Sequence, residues 1–340
     1  MKCKPITRQP LIDKNEDFSR CGESFRLDAI FVPTCRAAST FLRQVELLAS
    51  LAEAIYVLPT GLALDSFQSK RTFPRNVRVL SSEAITEIHR NFLCRSSSHN
   101  PSRIAGAHYD LPTKRNLALH LARLSGLRRI CLLDDDITIT TNQVKAATAA
   151  LSQDSPISGF YVFDFPDVST IDHIHRMVTS SPSETLPGGN CLFMLVDSVE
   201  GFFPYIYNED WIFVLHNLTR RSGSVIGEVK QEAHSPWLDD NRVRFEEFGE
   251  AVITGLLPLH DVIHSAESLS ADYWAHICLE RRQWLVDLYA ACTDVKLRQT
   301  IHLATKALAL FVPHDFVQFM QAVKSELNDY LWLRNIPKLL

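Results

Sequence analysis

Short apolar runs alternate with stretches of helical periodicity along the first two thirds of the chain, and helical spacing prevails in the last third. Leu27 to Thr34 (LDAIFVPT) is an apolar run stopped by Pro33 and reads as a buried strand. From Phe41 to Ala52, the residues Leu42, Val45, Leu48 and Leu51 fall near one helical face. A second strand is predicted at Ala54 to Leu58, ended by Pro59, Thr60 and Gly61, and a third at Asn76 to Leu80. Strand, helix and strand with short connections point to a parallel sheet covered by helices. Arg95 to Asp110 is polar, rich in Ser and His, and reads as a long loop. A helix then runs from near Thr113, its expected N-cap, to near Gly126, with Leu117, Leu121 and Leu124 on its apolar side. The strand Arg129 to Leu133 leads directly into Asp134, Asp135 and Asp136.

Further strands are expected within Ile157 to Phe165, around Cys191 to Val196 and from Ser224 to Val229, with a helix after Asp210. From about Ala271, Ile277, Trp284, Leu285, Leu288 and Cys292 recur at helical spacing. So do Phe316, Phe319, Met320, Val323, Leu327 and Leu331. No internal repeat of fixed period is present. The pattern predicts an α/β fold: a mainly parallel, Rossmann-like sheet flanked by helices, with an α-helical C-terminal extension. Its expected divisions are a flexible leader over 1–25, a sheet domain over 26–235 and a mainly helical extension over 236–340.

Composition narrows the class without naming a function. Of 340 residues, 46% are hydrophobic and 22% charged, which excludes a disordered or low-complexity chain. Lys and Arg total 35 against 39 Asp and Glu, so no global field attracts nucleic acid or an anionic membrane. The first ten residues, MKCKPITRQP, lack the apolar core of a secretory signal. No run of about 18 uncharged apolar residues predicts a transmembrane segment. Eight scattered cysteines include no C-x-x-C pair. Cys131 and Cys191 sit in apolar runs and read as small core residues. Reduced thiols and a cytoplasmic location are expected.

The chemistry-bearing signals are short. Three adjacent carboxylates, Asp134, Asp135 and Asp136, raise one another's pKa unless a cation compensates. Strand alternation lets Asp134 and Asp136 face one site while Asp135 faces another. At the carboxyl end of a strand such oxygens suit Mg2+ or Mn2+; a solvated acidic turn is the plainer alternative. Lys114 and Arg115 stand at a helix start, where cations oppose the helix dipole unless an anion binds. An exposed, solvated pair would explain them equally well. Glu209 and Asp210 beside Trp211 are carboxylates suited to general-base work, or simply acids in a first helical turn. His234 could complete a metal site, with His260, Asp261 and His264 a weaker set for that role. Gly188, Gly189 and Asn190 form a turn where backbone can approach a ligand closely.

The order of these elements resembles a GT-A-fold glycosyltransferase, most like the family 2 group. The resemblance covers about residues 26–235 and is carried by five stretches: Ile30 to Thr34 with Arg36 beyond, the Arg115-Asn116 pair opening a helix, Ile130 to Leu133 leading into the DDD motif, Gly188 to Asn190, and the Glu209-Asp210 pair. It implies metal-dependent transfer of a sugar from a nucleotide-diphosphate donor, a UDP-sugar being favoured. The acceptor would be a hydroxyl or other nucleophile on a small molecule, a glycan or a peptide, with inversion at the anomeric carbon. Asp136 with Asp134 and His234 would hold Mn2+ or Mg2+, and Asp135 or Asp134 could instead bond the ribose. Lys114 and Arg115 would face the leaving diphosphate. Pro33, Thr34, Arg36 and Gly189 would line the nucleotide pocket. Asp210, with Glu209 beside it, would act as acceptor base, and Trp211 or Trp237 would stack on a sugar.

Two family features are absent. No acidic residue follows the second strand, where Pro59-Thr60-Gly61 stands, and there is no polymer-synthase motif with membrane helices. Two other readings remain. A sugar-nucleotide nucleotidyltransferase would need a G-x-G-x-R loop where Pro33-Thr34-Cys35-Arg36 stands. A non-catalytic binding protein of the same fold would have little need of Asp134, Asp136, Arg115 and Asp210. Self-association into a homo-oligomer is left open.

Overall fold

The computed structural model describes residues 12–13, 26–37, 45, 47–60, 65, 67, 73–80, 100–101, 110–162, 169–179, 186–218, 221–232, 240–262 and 269–329. Its strands are β1 (Ile12–Asp13), β2 (Leu27–Thr34), β3 (Ala52–Pro59), β4 (Val77–Val79), β5 (Arg129–Leu133), β6 (Ile137–Thr138), β7 (Ile157–Val162), β8 (Cys191–Leu195) and β9 (Gly223–Gln231). The helices are α1 (Leu111–Leu124), α2 (Thr141–Ala149), α3 (Thr170–Thr179), α4 (Glu209–Leu218), α5 (Asp240–Leu256), α6 (Ala271–Ala291), α7 (Val295–Leu308) and α8 (Pro313–Asp329).

The strands form one sheet in the order β1-β9-β7-β8-β5-β2-β3-β4, with β6 paired to β9. β2 runs parallel to both neighbours, Ile30 lying opposite Ile55 of β3 and Cys131 of β5. β8 is antiparallel to β5 and β7, with Cys131 opposite Phe193. The sheet is therefore mixed, with parallel pairing predominant. β1 falls inside the expected leader and pairs in parallel with β9, Ile12 opposite Gly223.

Alternation along the central strands feeds two cores. Ile30, Val32, Cys131, Leu133, Cys191 and Phe193 point into one. Ala29, Phe31, Ile130, Leu132, Leu192 and Met194 point into the other. A strand covered on both faces reads as a continuous apolar run, which is why β2 and β5 were legible. On the first face lie Val45, Leu48 and Leu51, in the helical stretch before β3, together with Val144 and Ala147 of α2. On the second lie α1 and part of α4.

A third core occupies the helical region and gathers Ile171 and Ile174 of α3, Phe248 and Val252 of α5, Trp274 and Leu285 of α6, Ile301 of α7 and Phe316 and Phe319 of α8. Phe316 stacks on Phe248 and Trp274, with ring centroids 4.7 and 5.1 Å apart. Burial of each such aromatic contributes about 1.5–3 kcal/mol. Helix α4 links this core to the sheet: Ile212 and Leu215 enter the helical core, while Phe213, Val214 and Leu218 enter the sheet core. The C-terminal helices thus buttress the helix that begins with Glu209 and Asp210.

Several expected elements shift. α1 begins at Leu111 with Asp110 as N-cap, not at Thr113, because Pro112 is well placed in a first turn, where its missing N–H costs nothing. Three helices, α2, α3 and α5, are additional to the elements the sequence pattern predicts. α2 offers only Val144, Ala147 and Thr148 to the interior and is set by a capping box between Thr140 and Gln143. α5 buries Glu246, Glu247 and Glu250, which breaks its apolar periodicity. Stretches 95–99 and 102–109 of the expected loop, together with Leu42 and Leu331, lie outside the described residues. No described helix is long and apolar enough to cross a membrane.

Candidate active site

The chain leaves β2 for β3 and β4 on one side and returns with β5 on the other. The carboxyl ends of β2 and β5 therefore flank a topological switch point, where open α/β sheets bind ligands. Thr34 closes β2 there, with Arg36 just beyond, and Asp134, Asp135 and Asp136 follow β5.

The three aspartates take different partners. Asp134 Oδ2 pairs with Arg115 Nη2 at 3.4 Å, and the Asp134 backbone N–H donates to the Asn190 carbonyl at 2.8 Å. Asp135 Oδ2 accepts a short hydrogen bond from the Thr34 hydroxyl, while Asp135 Oδ1 lies 3.4 Å from Arg36 Nε. Asp136 Oδ2 takes Arg36 Nη2 at 2.9 Å and the Gln231 amide at 3.2 Å. Burial pushes the Asp135 carboxyl above its usual range; Thr34, Arg36 and Lys114 oppose that shift and Asp136 adds to it. Burial also works against the Arg36 charge, but Asp135, Asp136 and Glu232 outweigh it and hold the guanidinium pKa above its ordinary value.

Lys114 and Arg115 are not a solvated pair. Each is 3% exposed, because α1 is sandwiched between the sheet and the α4 region. Lys114 Nζ donates to the Thr34 carbonyl at 3.0 Å and pairs with Asp110 at 3.2 Å, so it clamps the end of β2. Arg115 Nη1 lies 2.6 Å from Glu209 Oε1 and 3.8 Å from Asp210 Oδ2. Asn116 braces the same helix, exchanging two 2.8 Å hydrogen bonds with the Phe203 backbone.

The glycine turn enters the site from behind. The Gly189 N–H donates to Asp210 Oδ2 at 2.5 Å, and a Cβ at Gly189 would collide with the Arg115 guanidinium. Its close approach is thus to an arginine of the chain itself. The other Asp210 oxygen accepts the Trp211 N–H at 2.9 Å. Asn208, which precedes α4, has φ of +66° and donates its amide to Glu250 Oε1 at 3.0 Å. Asparagine tolerates that left-handed conformation better than most residues.

Of the residues singled out from the sequence, Thr34, Arg36, Lys114, Arg115, Asp134, Asp135, Asp136, Gly189, Glu209 and Asp210 gather here. Pro33 is buried within β2 opposite Leu58, one position short of the Thr34 end. Glu209 is 1% exposed and committed to Arg115, whereas the Asp210 side chain keeps 15% of its surface. Trp211 packs against the helical core. His234, Trp237 and His264 lie outside the described residues, as do the side chains of His260 and Asp261. Sequence reasoning overlooked Gln231, Glu232 and Asp110. Gln231 ends β9 and Glu232 follows it, and only the pairing of β9 with β6 carries them to Asp136 and Arg36.

Carboxylates outnumber cations here. Asp110, Asp134, Asp135, Asp136, Glu209, Asp210 and Glu232 surround Lys114, Arg115 and Arg36. An anionic diphosphate entering such a site needs further positive charge. Among the described residues no three His, Cys, Asp or Glu side chains converge on a point where a metal could sit. The donors do fit a hard divalent ion that keeps waters and takes phosphate oxygens, a mode requiring only one or two carboxylates. Asp135 and Asp136 supply those, and Asp136 Oδ1 is buried with no hydrogen-bond partner.

No protein-family model matches the chain, and no curated protein matches it. Among solved structures it is similar to a protein from Desulfovibrio desulfuricans described provisionally as a nucleotide-diphospho-sugar transferase. That likeness has a TM-score of 0.36 and 12% identity over 62% of this chain and 84% of the other.

Proposed function

We propose that this chain is a glycosyltransferase that moves a sugar from a nucleotide-diphosphate donor to an acceptor hydroxyl. The observation that carries the reading is the meeting of Thr34 and Arg36, the aspartate triplet, Arg115 and Asp210 at the switch point between β2 and β5. The nucleotide lies across the carboxyl ends of these strands, with Thr34 toward its ribose. The diphosphate lies beside Asp136 and Arg36. A divalent cation, Mn2+ or Mg2+, bound by Asp136 and Asp135 would neutralise charge on the leaving diphosphate. Asp134 orients Arg115 rather than serving that cation, because its guanidinium partner is 3% exposed and held by Glu209, whereas Arg36, which faces Asp135 and Asp136, is 30% exposed.

Asp210 removes the acceptor proton, since Glu209 is occupied with Arg115 and Asp210 retains surface toward solvent. Its two oxygens are oriented by the Gly189 and Trp211 N–H groups. Attack by the acceptor from the face opposite the diphosphate inverts the anomeric centre. Residues 26–235 carry donor binding and catalysis. The helices beyond hold α4 in place and border the acceptor.

The test is product identity. The purified chain is given UDP-, GDP- and dTDP-sugars with Mn2+, water taking the sugar as a surrogate acceptor in donor hydrolysis, and, separately, nucleoside triphosphates with sugar phosphates. Release of a nucleoside diphosphate, lost in Asp136→Asn, supports the reading. Release of pyrophosphate instead makes the chain a nucleotidyltransferase. Neither product, with no nucleotide bound, leaves a non-catalytic protein.

A further inference from the structure

We propose that Arg36 is an internal cation that holds Asp135 and Asp136 and competes with an incoming divalent cation for them. The inference rests on the donor site proposed above and concerns how that site is loaded. The guanidinium is placed as a cation bound to an acidic pair would be. Its Nε lies 3.4 Å from Asp135 Oδ1, its Nη2 2.9 Å from Asp136 Oδ2, and its Nη1 3.1 Å from Glu232 Oε2. Arginine keeps its proton at any working pH, so loss of the guanidinium charge never frees the aspartates, and another cation must displace it.

Arg36 differs from Arg115 in what moving it would cost. Arg115 is 3% exposed, and withdrawing it would strand the buried Glu209 carboxylate. The Arg36 side chain is 30% exposed, stands two residues past the end of β2, and has its third carboxylate on Glu232, which is 67% exposed. It can leave the aspartates and stay paired at the rim of the cleft. A divalent ion brings twice the charge to the same oxygens, and the displaced guanidinium remains within reach of diphosphate oxygens, for which its planar fork is suited. Arg36 thus weakens cation binding before the donor arrives and contributes a positive group once it has.

Mn2+ binding without nucleotide reads this directly. The full chain is titrated while the electron paramagnetic resonance signal of free Mn2+ is followed, for the unsubstituted protein, Arg36→Gln, Arg36→Lys and Asp136→Asn. Partly exposed ion pairs of this kind are worth little each, so Arg36→Gln is expected to bind Mn2+ about three- to tenfold more tightly. Arg36→Lys should stay close to the unsubstituted protein, and Asp136→Asn should lose the binding. Two results would overturn the role of Arg36 alone and leave the donor reading standing: Mn2+ bound no more tightly by Arg36→Gln while Asp136→Asn still abolishes binding, or equal tightening in Arg36→Gln and Arg36→Lys. Absence of Mn2+ binding in both the unsubstituted protein and Arg36→Gln would overturn the metal reading and this inference together.

Discussion

Arg115 and Glu209 form an ion pair almost wholly withdrawn from solvent, with Nη1 2.6 Å from Oε1 and side-chain exposures of 3% and 1%. The pair ties the N-terminal half of α1 to the first turn of α4, so the residues lining opposite sides of the site are held by one contact. Removing one member of a buried pair costs about 3–5 kcal/mol where the other charge is left uncompensated; Arg115 keeps longer contacts with Asp134 and Asp210, which place the cost at the low end. Glu209→Gln is therefore expected to lose about 3 kcal/mol of stability. The check is the midpoint of denaturant unfolding, with an unchanged slope showing that stability alone has moved.

Asp210→Asn separates chemistry from architecture. The Asp210 side chain is only partly buried, and its closest cation, Arg115, keeps its 2.6 Å contact with Glu209. The variant should fold and bind nucleotide as before, while turnover falls about 10²- to 10⁴-fold, the usual worth of a general base. Calorimetric nucleotide titration beside a nucleoside diphosphate release assay distinguishes the two effects. Unchanged turnover would remove Asp210 as the base.

The two glycines of the turn should respond unequally to alanine. At Gly189 the added carbon would strike the Arg115 guanidinium, which Glu209 holds in place, and the expected loss is about 1–3 kcal/mol. At Gly188 the nearest atoms are Asp210 Oδ2 at 3.2 Å and Asn190 Oδ1 at 3.3 Å, side-chain ends that can give by a few tenths of an ångström. Thermal unfolding of the two variants should rank Gly189→Ala well below Gly188→Ala.

A pH effect is expected from the helical region. Burial, with Glu250 and Glu247 adding, pushes the Asp172 carboxyl up to about 8, although Arg281 nearby opposes the shift. Arg281 itself is occupied by both oxygens of Glu247 and by Glu250 at 3.6 Å. A carboxyl raised on folding keeps its proton in the native state while the unfolded chain ionises. Its contribution to stability is therefore whole below about pH 4, falls as pH rises toward 8, and is flat beyond. Asp172→Asn should remove that decline. Unfolding temperatures from pH 4 to 8 should show the variant gaining on the unsubstituted protein, and parallel curves would refute the assignment.

How far these features could be read in advance depended on burial geometry. β2 and β5 were legible because both faces of each are covered, so Leu27 to Thr34 and Arg129 to Leu133 are apolar almost without interruption. Cys131 and Cys191 took their expected places in the core for the same reason. α5 was not legible, because Glu247 and Glu250 on its inner side are satisfied by Arg281, thirty or more positions away in the chain. Nothing in its local spacing announces that partner.

The amino-acid order alone determined the alternating α/β plan, the helical C-terminal third, and the placing of an acidic triplet at a strand end near a basic helix start. Those follow from local hydrophobic period and from residues adjacent in the chain. The partners of each charge were decided by the folded chain. The order of strands brings β2 beside β5, and the packing of α1 beneath α4 buries Arg115 against Glu209. Two cations that local sequence would leave in water thus became one clamp on Thr34 and one brace behind Asp134 and Asp210, because an ion pair depends on distance through space, which residue spacing along the chain does not specify.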